Sequence, residues 1–349
     1  MIAHLRFAGL LLTVALFSPV DRGSAQQAPA ASSETFPMPK VPFTYTSPQP
    51  AGGIDSITGT PGRTLGLGTI CDDCQLEKFT DECVGRLEGP NFDREGNLWL
   101  VSPATGSIYK VTPDGHCTVV AQAPAPNGTR FSRDGKLYGV DNQRGLFWMD
   151  TKTLQITWIT NKFGSESFHG VDDLYFDRGG GVYLTDAYGS SALNPTGQVF
   201  YVTPDGKVRK VIAGGLAFPN GIVLSPDEKT LYIDDYDTNR IIAVQVAAPG
   251  ELNIQSSWVF AYLNGGRGPD SMTIDAAGNV YVAHYGAGEV VVFDQNGFLL
   301  GAIRMPPGAG MVPSNMAFHA GYLYITEMDQ HTVWRVKTKI PGVRQWPND

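Results

Sequence analysis

Six oxygen-bearing side chains recur at nearly one distance ahead of an apolar strand. Glu88, Asn127, Asp172 and Asp270 each stand ten residues before an aliphatic residue, respectively Leu98, Leu137, Val182 and Val280. Asn220 stands eleven before Leu231, where Glu228-Lys229 lengthens the turn, and Asn315 stands eight before Leu323, where the turn is shorter. If these positions converge on one axis, three carboxylates and three amide oxygens crowd together. Unaided, such carboxylates retain their protons and resist desolvation. A hard divalent cation resolves the conflict, since calcium takes about 6–8 oxygen ligands at ~2.3–2.6 Å. No Cys or His holds any of these positions, which argues against a dedicated zinc site. A protein shell that leaves water positions open belongs to a catalytic site more than to a closed structural one. For any single position the alternative is a side chain capping its own turn. Six at matching offsets point to a shared site.

The elements that would position them repeat as well. The aliphatic anchors Leu98, Leu137, Val182, Leu231, Val280 and Leu323 are separated by 39, 45, 49, 49 and 43 residues. Periods near 40–50 with several strands per unit are the signature of a β-propeller. Six anchors predict an all-β, six-bladed propeller whose innermost strands line a central tunnel. Turn signals agree: Asp93-Arg-Glu-Gly96, Asp177-Arg-Gly-Gly180 and Asp275-Ala-Ala-Gly278 each precede an anchor, and Thr-Pro-Asp-Gly occurs twice. None of these clusters has the spacing of an EF-hand loop. Trp99, Tyr183, Tyr232, Tyr281 and Tyr324 recur beside the anchors and read as core between blades. An open ring leaves exposed strand edges, so residues 82–87 and their upstream neighbours are expected to pair with the last blade.

Composition supports this class. Charged residues are 17% of the chain, below the ~25% usual in soluble proteins, while 41 Gly and 24 Pro supply turns. A net charge of −8 gives no reason to expect nucleic acid or an anionic membrane as partner. A small molecule or a cation fits better.

At the N-terminus, His4 and Arg6 precede an 11-residue apolar run, Phe7 to Phe17, followed by Gly23-Ser24-Ala25. Residues 1–25 read as a signal peptide, too short in its apolar part for a span of about 20 residues. The mature chain is therefore expected to be exported, periplasmic or secreted, without stable membrane insertion. Residues 26–68, rich in Pro, Ala and Ser, read as an arm or linker, and 69–349 as the propeller. Cys71, Cys74, Cys83 and Cys117 predict two disulfides in an oxidising compartment, with three connectivities open. Zinc held by the four thiolates is the alternative.

Four stretches carry a family resemblance: LEGPNFDREGNLWL, VDDLYFDRGGGVYLTDAYGSSALNPTGQVFYVTPDG, FPNGIVLSPDEKTLY and GPDSMTIDAAGNVYVAHYGAGEVVVFDQNG. Together they resemble the calcium-dependent lactonases of the gluconolactonase, senescence-marker-protein and regucalcin family, and within it the drug-responsive lactonase branch. The resemblance implies metal ligation by Glu88, Asp172, Asn220 and Asp270. It implies Asp173 and Ser271 beside the metal, where Asp172 stands in place of the Asn usual in the gluconolactonase branch. Asn127 and Asn315 match no family ligand and are expected to line the tunnel. The N-terminal arm and the Cys71/Cys74 pair depart from the family pattern.

The expected chemistry is hydrolysis of a lactone or related cyclic ester, with calcium as cofactor and magnesium, manganese or zinc left open. Asp270 is the first candidate to take the proton of the attacking water, with Asp172 and Asp173 as rivals. Ser271 has no His/Asp partner in the sequence, which disfavours a nucleophilic serine. His169, three residues before Asp172, is expected near the tunnel mouth in reach of substrate, whereas His284 reads as structural. Phosphotriester hydrolysis on the same scaffold and a non-catalytic binding platform are the competing readings.

Overall fold

The computed structural model describes residues 66–343. The signal peptide expected at 1–25 and nearly all of the 26–68 arm lie outside the described residues. Within them, six four-stranded antiparallel sheets are arranged along the chain, five of them meanders from an innermost to an outermost strand and the sixth completed by a strand from the start of the described chain. The innermost strands are Glu88–Phe92, Pro126–Phe131, Val171–Phe176, Pro219–Leu224, Gly268–Ile274 and Pro313–His319. They pack against one another in sequence, and the sixth meets the first. This is the six-bladed propeller that the repeat predicts.

Burial explains why these segments are strands. The second strand of blade one, Leu98–Ser102, is buried at every position, and so are Val182–Asp186 and Pro126–Phe131. A strand covered on both faces reads as a continuous apolar run rather than an alternating one. The outermost strand Cys117–Gln122 has no fully buried residue, consistent with its mixed sequence. Trp99, Tyr183 and Tyr281 are the largest wholly buried side chains, as the recurrence beside the anchors predicts. Truncating one to Ala should destabilise the fold by about 3–5 kcal/mol.

The Asp/Gly turns do turn chemistry. Asp93 accepts hydrogen bonds from the Asn97 amide and from Trp99 Nε1, both at 2.8 Å, while Gly96 takes φ +82°. Asp177 and Asp275 repeat the device, capped from Tyr201 at 2.6 Å and Tyr281 at 3.1 Å.

Closure differs in detail from expectation. The strand that completes blade six is Glu77–Thr80, antiparallel to Thr332–Lys337, with Arg335 Nε donating to Glu77 Oε1 at 2.6 Å. Residues 82–87 are bends, not strand. They cannot extend the edge because Cys83 is tied to Cys117 on blade one and Gly85 turns the chain inward at φ +96°. The other bridge joins Cys71 and Cys74, so all four thiols are used in disulfides and a four-thiolate zinc site is excluded. Ahead of Thr69, Leu67 already packs into the cluster formed by blades five and six. Among the described residues no helix is long and apolar enough to cross a membrane.

Candidate metal centre

Every innermost strand carries a register shift near its start. The irregularity falls between Glu88 and Asn91, Pro126 and Thr129, Val171 and Leu174, Pro219 and Ile222, Pro269 and Met272, and Pro313 and Met316. A bulge of this kind re-aims side chains and opens a ladder. Here it lies at the same level in all six blades and releases the residues that the backward count selects.

Five of the six counted residues meet there. Glu88, Asn127, Asp172, Asn220 and Asp270 line one open cavity of about 770 Å³. Around the axis they alternate carboxylate and carboxamide. Asn127 Nδ2 donates to Asp172 Oδ1 at 3.0 Å, and Asn220 Nδ2 donates to Asp270 Oδ1 at 2.6 Å. The Gly89 amide donates to Glu88 Oε2 at 3.1 Å.

The sixth residue is displaced by one position. Phe318 pairs with Leu323 across a four-residue turn, where Phe131 and Leu137 span five, so the turn is short by one residue and not two. Ser314 therefore holds the ring place in blade six. Its hydroxyl donates to Leu87 O at 2.7 Å and ties blade six to blade one. Asn315 corresponds instead to Asp173: the Asn315 and Asp173 amides each donate at 3.0 Å to a threonine of the adjoining strand, Thr326 and Thr185. It does not line the cavity, but its side chain lies near enough to Glu88 to favour that carboxylate's charged form.

Asp173 and Ser271 lie below the ring rather than on it. Ser271 Oγ donates to Asp173 Oδ2 at 3.0 Å, and the Leu174 amide donates to Oδ1 at 2.8 Å. With both oxygens engaged, Asp173 faces no open space, which withdraws it as a proton acceptor. Gly128 makes this layer possible, since a Cβ there would come within 2.4 Å of Asp173 Oδ1.

His169 does not line the cavity either. Its backbone amide and that of Gly170 are held by the Asp186 carboxylate at 3.1 and 2.7 Å, and its ring is half exposed with Nδ1 3.8 Å from Asp186. The Tyr188 ring occupies the space instead; a Cβ on Gly170 would stand 2.7 Å from it. His284 is structural as expected, buried with Nε2 at 3.0 Å from Gly265 O.

The wall residues were missed by the backward count, yet a forward count finds them. Pro103, Asn142, Tyr236, Tyr285 and Met328 all stand five residues after their anchors, Tyr188 six after, and all line the cavity. Tyr188, Phe218, Tyr236 and Tyr285 form an aromatic arc with successive ring centroids 5.5, 5.7 and 5.8 Å apart. Phe218 holds φ +65°, a strained setting for a bulky residue of the kind found at functional sites. Arg86 Nη2 donates to Tyr285 Oη at 2.8 Å, and Arg267 lies over Tyr236 at 6.0 Å.

Electrostatics make the ring unstable as bare carboxylates. Burial pushes Glu88 up to about 8, helped by repulsion from Asp173. Burial and then the charges of Glu88 and Asp173 raise Asp172 well above the usual carboxylate range. Asp270 is raised in the same way by burial, Glu88 and Asp172, and the nearby Arg86 offsets only part of this. Two buried oxygens aimed into the cavity, Asn127 Oδ1 and Asp270 Oδ2, have no hydrogen-bond partner among the described residues. Among those residues no three of Asp, Glu, His and Cys form a cation cage by themselves, so a shell here needs the amide oxygens too. Anionic and neutral hard oxygens, orphaned and free of sulfur or imidazole, fit a calcium-like ion.

Residues 87–329 match the SMP-30/Gluconolactonase/LRE-like region. The chain belongs to that family. Within the SMP-30/gluconolactonase/LRE-like family it is 35% identical over 238 residues to lactonase drp35 of Staphylococcus haemolyticus, covering 66% of this chain and 72% of that protein. To lactonase drp35 of Staphylococcus saprophyticus it is 34% identical over 263 residues, covering 73% and 80%. Among solved structures it resembles a gluconolactonase from Xanthomonas campestris, with TM-score 0.69, 24% identity and coverage of 78% of this chain and 92% of that one. It also resembles the calcium-binding protein regucalcin from Agrobacterium tumefaciens, with TM-score 0.65, 21% identity and coverage of 77% and 94%. At these identities the two structures speak for the fold of this SMP-30/gluconolactonase/LRE-like chain.

Proposed function

We propose that this protein is an exported hydrolase that opens a lactone or related cyclic ester with calcium held by Glu88, Asp172, Asn220 and Asp270. The observation that carries the reading is the alternating ring itself, with Asp270 Oδ2 and Asn127 Oδ1 unpartnered at its centre. The names of the curated relatives, lactonase drp35, support the substrate class. When bound, the cation would polarise the ester carbonyl and acidify a water.

The chain's own residues do the rest. Asp270 Oδ2 takes the proton released as water adds to the carbonyl carbon. The Asn220 amide fixes Asp270 through Oδ1, so that Oδ2 is the oxygen left to act. Collapse of the tetrahedral carbon breaks the ring C–O bond, and the proton on Asp270 passes to the departing alkoxide to give a hydroxy acid. Asn127 holds Asp172 in place without contributing charge. The aromatic arc shields one side of the reacting ester from bulk water.

A panel of γ- and δ-lactones and one phosphotriester, assayed with chelator and with calcium restored, tests this. Lactone turnover lost on chelation and regained with calcium is expected. Turnover of the triester alone would replace the substrate class, and binding without turnover would make the propeller a platform.

A further inference from the structure

The tunnel has a second cavity, about 280 Å³, at the far ends of the innermost strands from the carboxylate ring. Its polar lining is Asn91, Arg130, Thr273, His319 and Tyr322, and none of the described residues lining it is acidic. Arg130 is only 3% exposed, and its Nε and Nη2 have no hydrogen-bond partner among the described residues. Its guanidinium lies over the Tyr175 ring at 5.6 Å, a contact that satisfies a face and no N–H. The opposing charge it feels is Asp173, whose oxygens are taken by the Leu174 amide and the Ser271 hydroxyl. The His319 ring, stacked on Phe92 at 4.2 Å, is held below its usual pKa by burial and so adds an imidazole without adding charge. Residues 341–343 form part of its wall, with Ala276 N donating to Pro341 O at 2.8 Å and Val343 N to Ile274 O at 3.1 Å.

A buried cation with idle donors is expensive, and folded proteins avoid it by pairing or by binding a counter-ion. Asp173 opposes part of the charge but reaches none of the idle donors, which stay open to a ligand. A guanidinium fork matches a carboxylate or a halide well. We propose that Arg130, with Asn91 and Thr273, holds a small monovalent anion, a halide or short carboxylate, in this lower chamber. The site is separate from the carboxylate ring and stands whether or not the lactone reading does.

The test uses bromide and formate. Crystals of the whole protein grown without halide are soaked in sodium bromide, and anomalous diffraction is measured. In parallel, thermal unfolding is followed against bromide or formate for the unaltered protein, Arg130→Met and Thr273→Val. A bromide peak beside the Arg130 guanidinium is expected, together with a saturable rise of a few degrees in Tm. That rise should vanish in Arg130→Met, and the apparent Kd should weaken about tenfold in Thr273→Val through loss of one hydrogen bond. Ordered water alone at Arg130, or a Tm rise indifferent to both substitutions, overturns the proposal. Because Arg130→Met removes a buried charge and can fail to fold, the bromide soak of the unaltered protein is decisive without it.

Discussion

Asn220 donates from Nδ2 to Asp270 Oδ1 at 2.6 Å and leaves Asp270 Oδ2 buried with no hydrogen-bond partner among the described residues. One amide thus sets which carboxylate oxygen is free. Fifty residues separate the pair in sequence; only adjacent propeller blades bring them together.

Asp270→Asn should lower kcat for lactone hydrolysis by about 10²–10⁴, the usual contribution of a positioned proton acceptor. Circular dichroism and Tm should change little, because the ring residues pack no blade core. Full activity in this variant would remove Asp270 from the reaction.

Asn220→Ala acts on the same oxygen pair from the other side. It frees both oxygens of Asp270 and removes one ligand. Cation affinity, measured by calorimetry, is expected to fall by tenfold or more, a loss of about 1.4 kcal/mol, the upper range for one hydrogen-bonding group. An unchanged Kd would show that Asn220 is no ligand.

On the proposed reading, protons and the cation compete for the ring. Glu88, Asp172 and Asp270 have folded pKa values raised above those of the unfolded chain, Glu88 to about 8. With raised values the stabilising proton is present at low pH and is lost as pH climbs through the folded pKa. The chelated protein should therefore lose stability between about pH 4.5 and pH 8. Calcium binding displaces those protons, so its affinity should increase over the same interval. Thermal unfolding at pH 5, 6.5 and 8 with EDTA or calcium checks both signs; a calcium effect larger at pH 5 than at pH 8 would contradict them.

Ser314 and Asn315 have different duties despite their adjacency. Ser314→Ala deletes the hydroxyl tie to Leu87 O and should reduce stability by about 0.5–1.5 kcal/mol while lactone turnover stays as it was. Asn315→Ala removes a side chain that favours the charged form of Glu88 and should weaken calcium binding. Weakened calcium binding in Ser314→Ala with none in Asn315→Ala would contradict this division of duties.

Gly128→Ala places a methyl within 2.4 Å of Asp173 Oδ1 and 2.9 Å of Asp173 Cα. The strands of blades two and three must part, which should destabilise by about 1–3 kcal/mol, as overpacking does. A Tm equal to the parent's would mean that this layer yields more readily than its spacing suggests.

The propeller was legible because its signal is local. A tyrosine or tryptophan beside each anchor, with a Gly-bearing turn before five of the six, needs no knowledge of partners, and the repetitions add up. Glu88, Asn127, Asp172, Asn220 and Asp270 were found for the same reason, as a fixed offset from a fixed strand. The count slipped at Asn315 because a turn one residue shorter shifts the offset by one, and length alone does not say where a bulge falls. His169 was misplaced because a loop residue's direction depends on a distant acceptor, here Asp186. The aromatic arc was hidden by weighing tyrosines at the anchors as core and passing over those five residues onward. Arg130 gave no sequence signal, since its burial is a property of the tunnel and not of its own strand.

The central claim is that one hard cation sits among Glu88, Asp172, Asn220 and Asp270. Anomalous diffraction from crystals grown with calcium, and with manganese as a heavier substitute, measures this directly. One strong peak within about 2.6 Å of an oxygen from each of the four side chains is the result expected. No peak there, with the four residues ordered and turned toward one another through water alone, would contradict it.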